Sequence, residues 1–201
     1  MDRLNKCAAW SQNPPYKDNY GLKYTKEQFV EPGHSFHFFL KSALSQWSSK
    51  YPIKAYHGNL GAGEVVFYST AEHYMMGAKA LLMKDEESFR RIISVSSPYD
   101  AKQLGRQIRN FDQGKWNQFK VKIVKMGNVL RGMQNEEWAS ILLGTEDKIL
   151  VEMNPRDNIW GTGLDMEDPL RHRPYLWPGY NMLGFILMEV RDILRHSIKE
   201  N

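Results

Sequence analysis

From Ser69 to Leu194 the apolar residues fall at helical spacing in one stretch after another, and only short β-like runs interrupt the pattern. Such periodicity commits most of the chain to amphipathic helices whose apolar stripes meet in a shared core. The first stretch opens at Ser69, with Ala71, Tyr74, Met75, Ala78, Leu81 and Leu82 as its stripe. Ser69 as N-cap and Glu72 three residues on have the spacing of a capping box. Ser88–Ile93 continues as helix, and Ser97-Pro98 restarts one with proline at its first position. Asp112 caps a longer helix expected to bury Trp116, Phe119, Ile123, Met126 and Leu130. Glu136–Leu143 stops at Gly144. A last helix runs from about Asn181, with Leu183, Ile186, Leu187, Val190 and Leu194 inside. Strand candidates are Ser35–Leu40, Ile53–Tyr56, Val65–Tyr68 and Ile149–Met153, with Gly58, Gly61 and Gly63 between the second and third. The expected class is α+β: a helix-dominated single domain with a few short strands, spanning 35–201. Residues 1–34, with turn signals at Asn13-Pro14-Pro15 and Pro32-Gly33, are expected to form an irregular N-terminal arm.

Composition narrows the function classes. With 42% hydrophobic and 25% charged residues the chain has enough apolar surface to fold. Apolar runs such as Phe185–Met188 are far short of the roughly 20 residues of a membrane span. Met1–Lys6 has no apolar block behind it, which argues against a signal peptide. The single Cys7 cannot form an internal disulfide and a cytoplasmic chain is expected. Cys-rich zinc ligand sets are absent. Charge is uneven. Lys102–Arg131 holds eight Lys/Arg and one acid, Asp112, whereas Gly132–Asp168 holds nine Asp/Glu against Lys148 and Arg156. The first segment is a candidate polyanion face, or else one of two solvated helix faces of opposite sign.

Three places carry candidate chemistry. On the helix at Ser69, Glu72, Met76, Lys79 and Met83 lie on one line, because seven residues make nearly two turns. A carboxylate and an amine thus sit at a core edge, about 10 Å apart along the axis. Capping and a snorkelling surface lysine are their alternative roles. The loop Asn154–Gly163 combines Arg156, Asp157, Trp160, Gly161 and Gly163. It offers a fork of donors for phosphate, a ring for stacking, and glycines that let backbone N–H groups approach a ligand. A tight turn around a buried indole explains the same residues. The third place is Gln46-Trp47, a polar amide beside a ring, which core packing also explains. Gly61-Ala62-Gly63 lacks the third glycine and the helix of a dinucleotide fingerprint. Glu72-His73 lacks two ligands of a metalloprotease pattern.

Five motifs, in order, resemble the NADAR (YbiA-like) family. Thr70-Ala71-Glu72-His73-Tyr74 followed by Ala78-Lys79-Ala80 resembles its signature helix. Ala43-Leu44-Ser45-Gln46-Trp47 resembles its Leu-Ser-Asn/Gln-aromatic motif. Ala101–Arg106 resembles its Ala-Lys-x-Leu-Gly-Arg step. Leu150–Leu164 resembles its Leu-x-Glu-x-x-x-x-Asp-x-x-Trp-Gly-x-Gly-Leu loop, and Trp177–Gly184 its closing Asn-x-Leu-Gly motif. The resemblance spans about Phe36 to Leu194. Gln46 stands where many members have Asn.

The resemblance implies an N-glycosidase. One branch of the family cleaves riboflavin-biosynthesis intermediates, and another removes ADP-ribose from guanine. The second is preferred here because of the basic Lys102–Arg131 segment, which is then a possible nucleic-acid contact. A silent ADP-ribose or nucleotide binding module is the alternative from a different class. In the implied mechanism Glu72 stabilises positive charge on the sugar. Either water attacks C1 directly, or Lys79, if neutral, attacks C1 and, with ring opening, forms a Schiff base. Asp157 holds sugar hydroxyls or shuttles a proton. Gln46, Trp47, His73, Arg156, Trp160, Gly161, Gly163 and Asn181 are the implied substrate contacts, with an N-cap role as the alternative for Asn181. This chemistry requires no metal or redox cofactor.

Overall fold

The computed structural model describes residues 21–57 and 65–199. Residues 1–20, with Cys7 and most of the proposed arm, and Gly58, Gly61 and Gly63 lie outside the described residues. In chain order the elements are β1 (Phe36–Phe39), β2 (Ile53–Tyr56), β3 (Val65–Tyr68), α1 (Ala71–Leu82), α2 (Glu86–Ser94), α3 (Pro98–Arg106), α4 (Gln113–Gln134), α5 (Glu136–Leu143), β4 (Ile149–Glu152) and α6 (Met182–Lys199). Short 3-10 turns occupy Lys26–Phe29, Pro169–His172 and Pro174–Leu176. The class is α+β, as the sequence predicts. β1 and β4 pair in parallel, from Phe36↔Ile149 to Phe39↔Glu152. β2 and β3 pair antiparallel, from Ile53↔Tyr68 to Tyr56↔Val65.

α1 lies at the centre, packed on α2, α3 and α4, and α6 packs across β4 and α4. Gly184 lets α6 begin directly over β4, since a Cβ there would stand 2.1 Å from the Leu150 carbonyl oxygen. Part of the expected arm is docked. Leu22 is buried, the Lys23 N–H donates to Glu189 Oε1 at 2.7 Å, and Phe29 stacks on Phe185.

Two local expectations are corrected. The N-cap of α1 is Thr70, whose hydroxyl accepts the His73 N–H at 3.2 Å, so the helix starts one residue later than Ser69 predicts. Glu72 therefore has no capping-box position. Its own N–H donates to the Gln46 carbonyl at 2.9 Å. In α4 the apolar residues Trp116, Ile123 and Leu130 pack half-buried against the core, but the most buried face lies elsewhere. Lys120, Val121, Val124, Gly127, Asn128, Arg131 and Gly132 are buried, and Met126 is exposed. Cations sit on the inner face because Arg131 donates to the Ser45 and Ser48 carbonyls, at 3.1 and 3.2 Å, and lies against the Trp138 ring.

Candidate active site

Glu72 is the second residue of α1 and only 3% exposed. Among the described residues its Oε1 has no hydrogen-bond partner. Burial pushes its carboxyl up to about 7; Asp157 adds to this, and Lys102, Trp47 and Lys79 oppose it. The preceding turn sets its surroundings. Arg131 fastens the turn's carbonyls, and Asn128 Nδ2 donates to Gln46 Oε1 at 3.0 Å. The Gln46 amide is thus drawn into the core, and Trp47 is left 42% exposed. The Lys102 ammonium lies 5.8 Å from the Trp47 ring centroid. A cleft of about 410 Å³, lined by Lys41, Ser42, Ser45, Trp47, Ser48 and Tyr51 among others, opens beside this ring. The carboxyl groups do not line it.

Lys79, two turns along α1, is half-buried. Its Nζ donates to the Gly105 carbonyl at 2.7 Å and lies 4.4 Å from the Phe111 ring centroid and 5.5 Å from that of Trp116. Gly105 brings α3 this close, because a Cβ there would meet the Met76 sulfur at 2.1 Å. Burial lowers the Lys79 pKa from its ordinary value; Glu72 opposes this and Arg106 adds to it. A lysine so placed is easier to deprotonate, as an amine nucleophile requires.

The loop after β4 folds on itself. Asp157 Oδ1 accepts the N–H groups of Ile159 and Trp160, at 3.0 and 2.8 Å. Residues 158–162 then bond along 179–183, including Gly179 N–H to Thr162 O at 2.7 Å and Asn181 N–H to Gly161 O at 3.1 Å. Asp157 is half-buried, and its charge opposes ionisation of both Glu72 and Glu152. Trp160 is half-buried and packs against the core. Arg156 is exposed on the same loop.

The structure thus gathers Glu72, Lys79, Trp47 and Asp157, and gives other expected contacts structural work. His73 is turned inward: Nδ1 lies 2.7 Å from Thr70 Oγ1 and Nε2 lies 3.1 Å from the Val95 carbonyl. Asn181 is not an N-cap of extended backbone. Its φ is 53°, and its amide is held by β4 at both ends. Gly161 is packed against the Glu152 and Asp157 carbonyls, and Gly163 has φ +75° with Asn158 where a Cβ would go. Both close the loop. Among the described residues no three His, Cys, Asp or Glu side chains group as metal ligands, and no helix is long and apolar enough to cross a membrane.

Sequence reasoning gave no role to Glu152. At the end of β4, its Oε2 is buried with no partner among the described residues. Burial pushes it up to about 8; Asp157 and Glu72 add to this and Lys102 opposes it. The signal was present, since Glu152 is the Glu of the Leu-x-Glu motif. Lys102 belongs both to the basic run and to the Ala-Lys-x-Leu-Gly-Arg motif, and neither assigns it a role at the site.

A helix-dominated α+β scaffold with buried carboxyls beside a pKa-lowered lysine has the equipment of an acid–base or nucleophilic enzyme. The NADAR domain family model matches residues 35–195. N-glycosidase R617 of Acanthamoeba polyphaga mimivirus is 39% identical over 149 residues, covering 74% of this chain and 85% of its own. N-glycosidase YbiA of Escherichia coli K12 is 32% identical over 127 residues, covering 63% and 71%. The NMR structure of Escherichia coli YbiA superimposes with a TM-score of 0.63 at 24% identity, over 86% of this chain and 95% of that one. The chain belongs to the NADAR domain family. The enzyme class that goes with it is hydrolysis of N-glycosyl bonds.

Proposed function

We propose that this N-glycosidase releases ADP-ribose from guanine. The observation that carries the reading is the buried Glu72 carboxyl on the same helix as Lys79, under a half-exposed indole. As the C1–N bond breaks, positive charge grows on C1 and the ring oxygen, and ionised Glu72 stabilises it. Lys79 captures C1 as the neutral amine, ring opening gives a Schiff base, and water later displaces the amine. Trp47 offers a face for the base. Lys102 lies near Glu72 and Trp47, and Arg106 near Lys79. Two cations at the site suit a diphosphate better than a single phosphate.

Support for a long polyanion track is narrower than the charge run suggests. Arg109 pairs with Asp85 and Glu87, and Lys125 with Glu189. Lys120 and Arg131 are buried. Lys102, Arg106, Lys115 and Lys122 remain without an ion pair among the described residues.

The test is to offer an ADP-ribosylated guanine oligonucleotide and a ribosylaminopyrimidine phosphate, and to assay free base and free sugar. Guanine and ADP-ribose are the expected products. Cleavage of the aminopyrimidine alone makes this the riboflavin-intermediate branch. Binding of ADP-ribose without cleavage of either makes it a binding module.

A further inference from the structure

We propose that Glu152 is the general acid of this reaction, handing its proton to the leaving nitrogen as the C1–N bond breaks. The proposal rests on the N-glycosidase reading and adds the residue that activates the leaving group.

The placement comes first. Glu152 ends β4, and its main chain is fixed on both sides. Its N–H donates to Asn181 Oδ1 at 2.8 Å, and its carbonyl accepts from Thr162 N–H at 2.9 Å and Thr162 Oγ1 at 3.2 Å. The side chain is therefore aimed by rigid backbone. Among the described residues Oε2 is buried without a partner, while the residue as a whole is half-buried. Glu72, at 3% exposed, is the less reachable of the two.

Protonation follows from what surrounds it. A buried carboxylate oxygen with no donor is costly, and the acid form is less so. Glu72 from α1 and Asp157 from the following loop both oppose ionisation, and Lys102 from α3 favours it. Glu72 is helped by Lys102, Trp47 and Lys79 together. The two environments push the carboxyls apart in role: Glu72 takes the charge and Glu152 keeps the proton.

The electron pair of the C1–N bond leaves with the base nitrogen, which receives the Glu152 proton. Lys79 bonds C1, and the proton that its alkylated nitrogen sheds returns to Glu152. The ring then opens: the ring oxygen takes that proton and C1=N forms as a protonated Schiff base. Water adds to C1 and returns a proton to Glu152, the neutral amine leaves, and the ring recloses to give the free sugar with its C1 hydroxyl.

The test compares wild type and Glu152→Gln on two substrates with one sugar. They are guanine-linked ADP-ribose, and NAD⁺, whose pyridinium departs neutral without a proton. Gln mimics the protonated acid in shape and charge, so the variant should keep its Tm. We expect kcat on the guanine substrate to fall about 10²-fold or more, and on NAD⁺ by less than about threefold. For wild type, kcat on guanine-linked ADP-ribose should also decline as pH rises through about 8, and that decline should vanish in the variant. Equal losses on both substrates, or a full rate on the guanine substrate, overturns the proposal. If wild type does not turn over NAD⁺, the basic limb decides: its persistence in Glu152→Gln overturns the assignment. Wild type cleaving neither substrate overturns the ADP-ribosyl-guanine reading itself, and this assignment with it.

Discussion

Asn181 clamps Glu152: Oδ1 accepts the Glu152 N–H at 2.8 Å, while Nδ2 of the same amide donates to the Leu150 carbonyl, also at 2.8 Å. The start of α6 is thereby tied to the end of β4, where the site begins. Asn181 is fully buried, with a φ of 53° that Asn tolerates better than most residues. Asn181→Ala orphans a buried donor and a buried acceptor, each worth roughly 1–3 kcal/mol. A loss of about 2–6 kcal/mol in urea unfolding is expected. A loss below about 1 kcal/mol means that the clamp is ornamental.

The two raised carboxyls make stability depend on pH. A folded pKa above the ordinary carboxylate value means that the folded state holds protons the unfolded chain has released. Stability therefore falls as pH rises from about 4.5 to about 7 for Glu72 and to about 8 for Glu152. Glu72→Gln has no charge to bury. It should match wild type near pH 4.5 and exceed it at pH 8 by on the order of 1–3 kcal/mol. Its kcat should fall about 10²-fold at the same time. A variant that is less stable at pH 8 refutes the burial argument, and one that is fully active refutes the charge-stabilising role.

Asp85 behaves oppositely. Its buried carboxylate caps α2 through the Ser88 N–H and hydroxyl and is held by the Arg109 N–H and guanidinium. Arg109 holds the Asp85 carboxyl well below the usual range. That stabilisation is present above the ordinary carboxylate pKa and is lost as pH falls through the depressed one. Arg109→Ala should lower Tm by a few degrees at neutral pH, with a gap that narrows in acid. Thermal melts at pH 7 and pH 3 measure it, and a gap that does not change with pH sinks this reading.

Much of this architecture was legible because it rests on local rules. Asp112 as cap, Pro98 at N1, Gly144 as stop and all four strands follow from caps, turns and periodicity. Thr70 displaced Ser69 because neighbouring hydroxyls compete for one cap and sequence does not rank them. The expected stripe of α4 was right at Trp116, Ile123 and Leu130, but its most buried face escaped because Lys120 and Arg131 count as surface residues in any apolar pattern. Long-range carbonyls in the Ser45–Ser48 turn reverse that for Arg131. At the site, Glu72 and Lys79 share a helix and were readable from spacing. Glu152 comes beside Glu72 only through the β1–β4 pairing and the Asn181 clamp, which no local window contains.

If the substrate is carried on a nucleic acid, Lys115 and Lys122 are the cations free to meet its phosphates outside the site. They are seven residues apart on α4 and so lie near one line. Lys115→Glu with Lys122→Glu should raise KM for an oligonucleotide and leave a mononucleotide substrate unchanged. The log–log salt slope should weaken by about 0.7 per lost contact on single strands. Equal KM changes on both substrates show that α4 is only a solvated face.

On the proposed mechanism α1 carries the chemistry, with Lys79 bonding the sugar. Borohydride added during turnover of guanine-linked ADP-ribose reduces a Schiff base in place, and peptide mass spectrometry locates it. An ADP-ribosyl adduct is expected on Lys79, absent from Lys79→Arg, whose guanidinium stays protonated and whose rate collapses. Turnover that continues under borohydride with Lys79 unmodified, or an active Lys79→Arg, contradicts it.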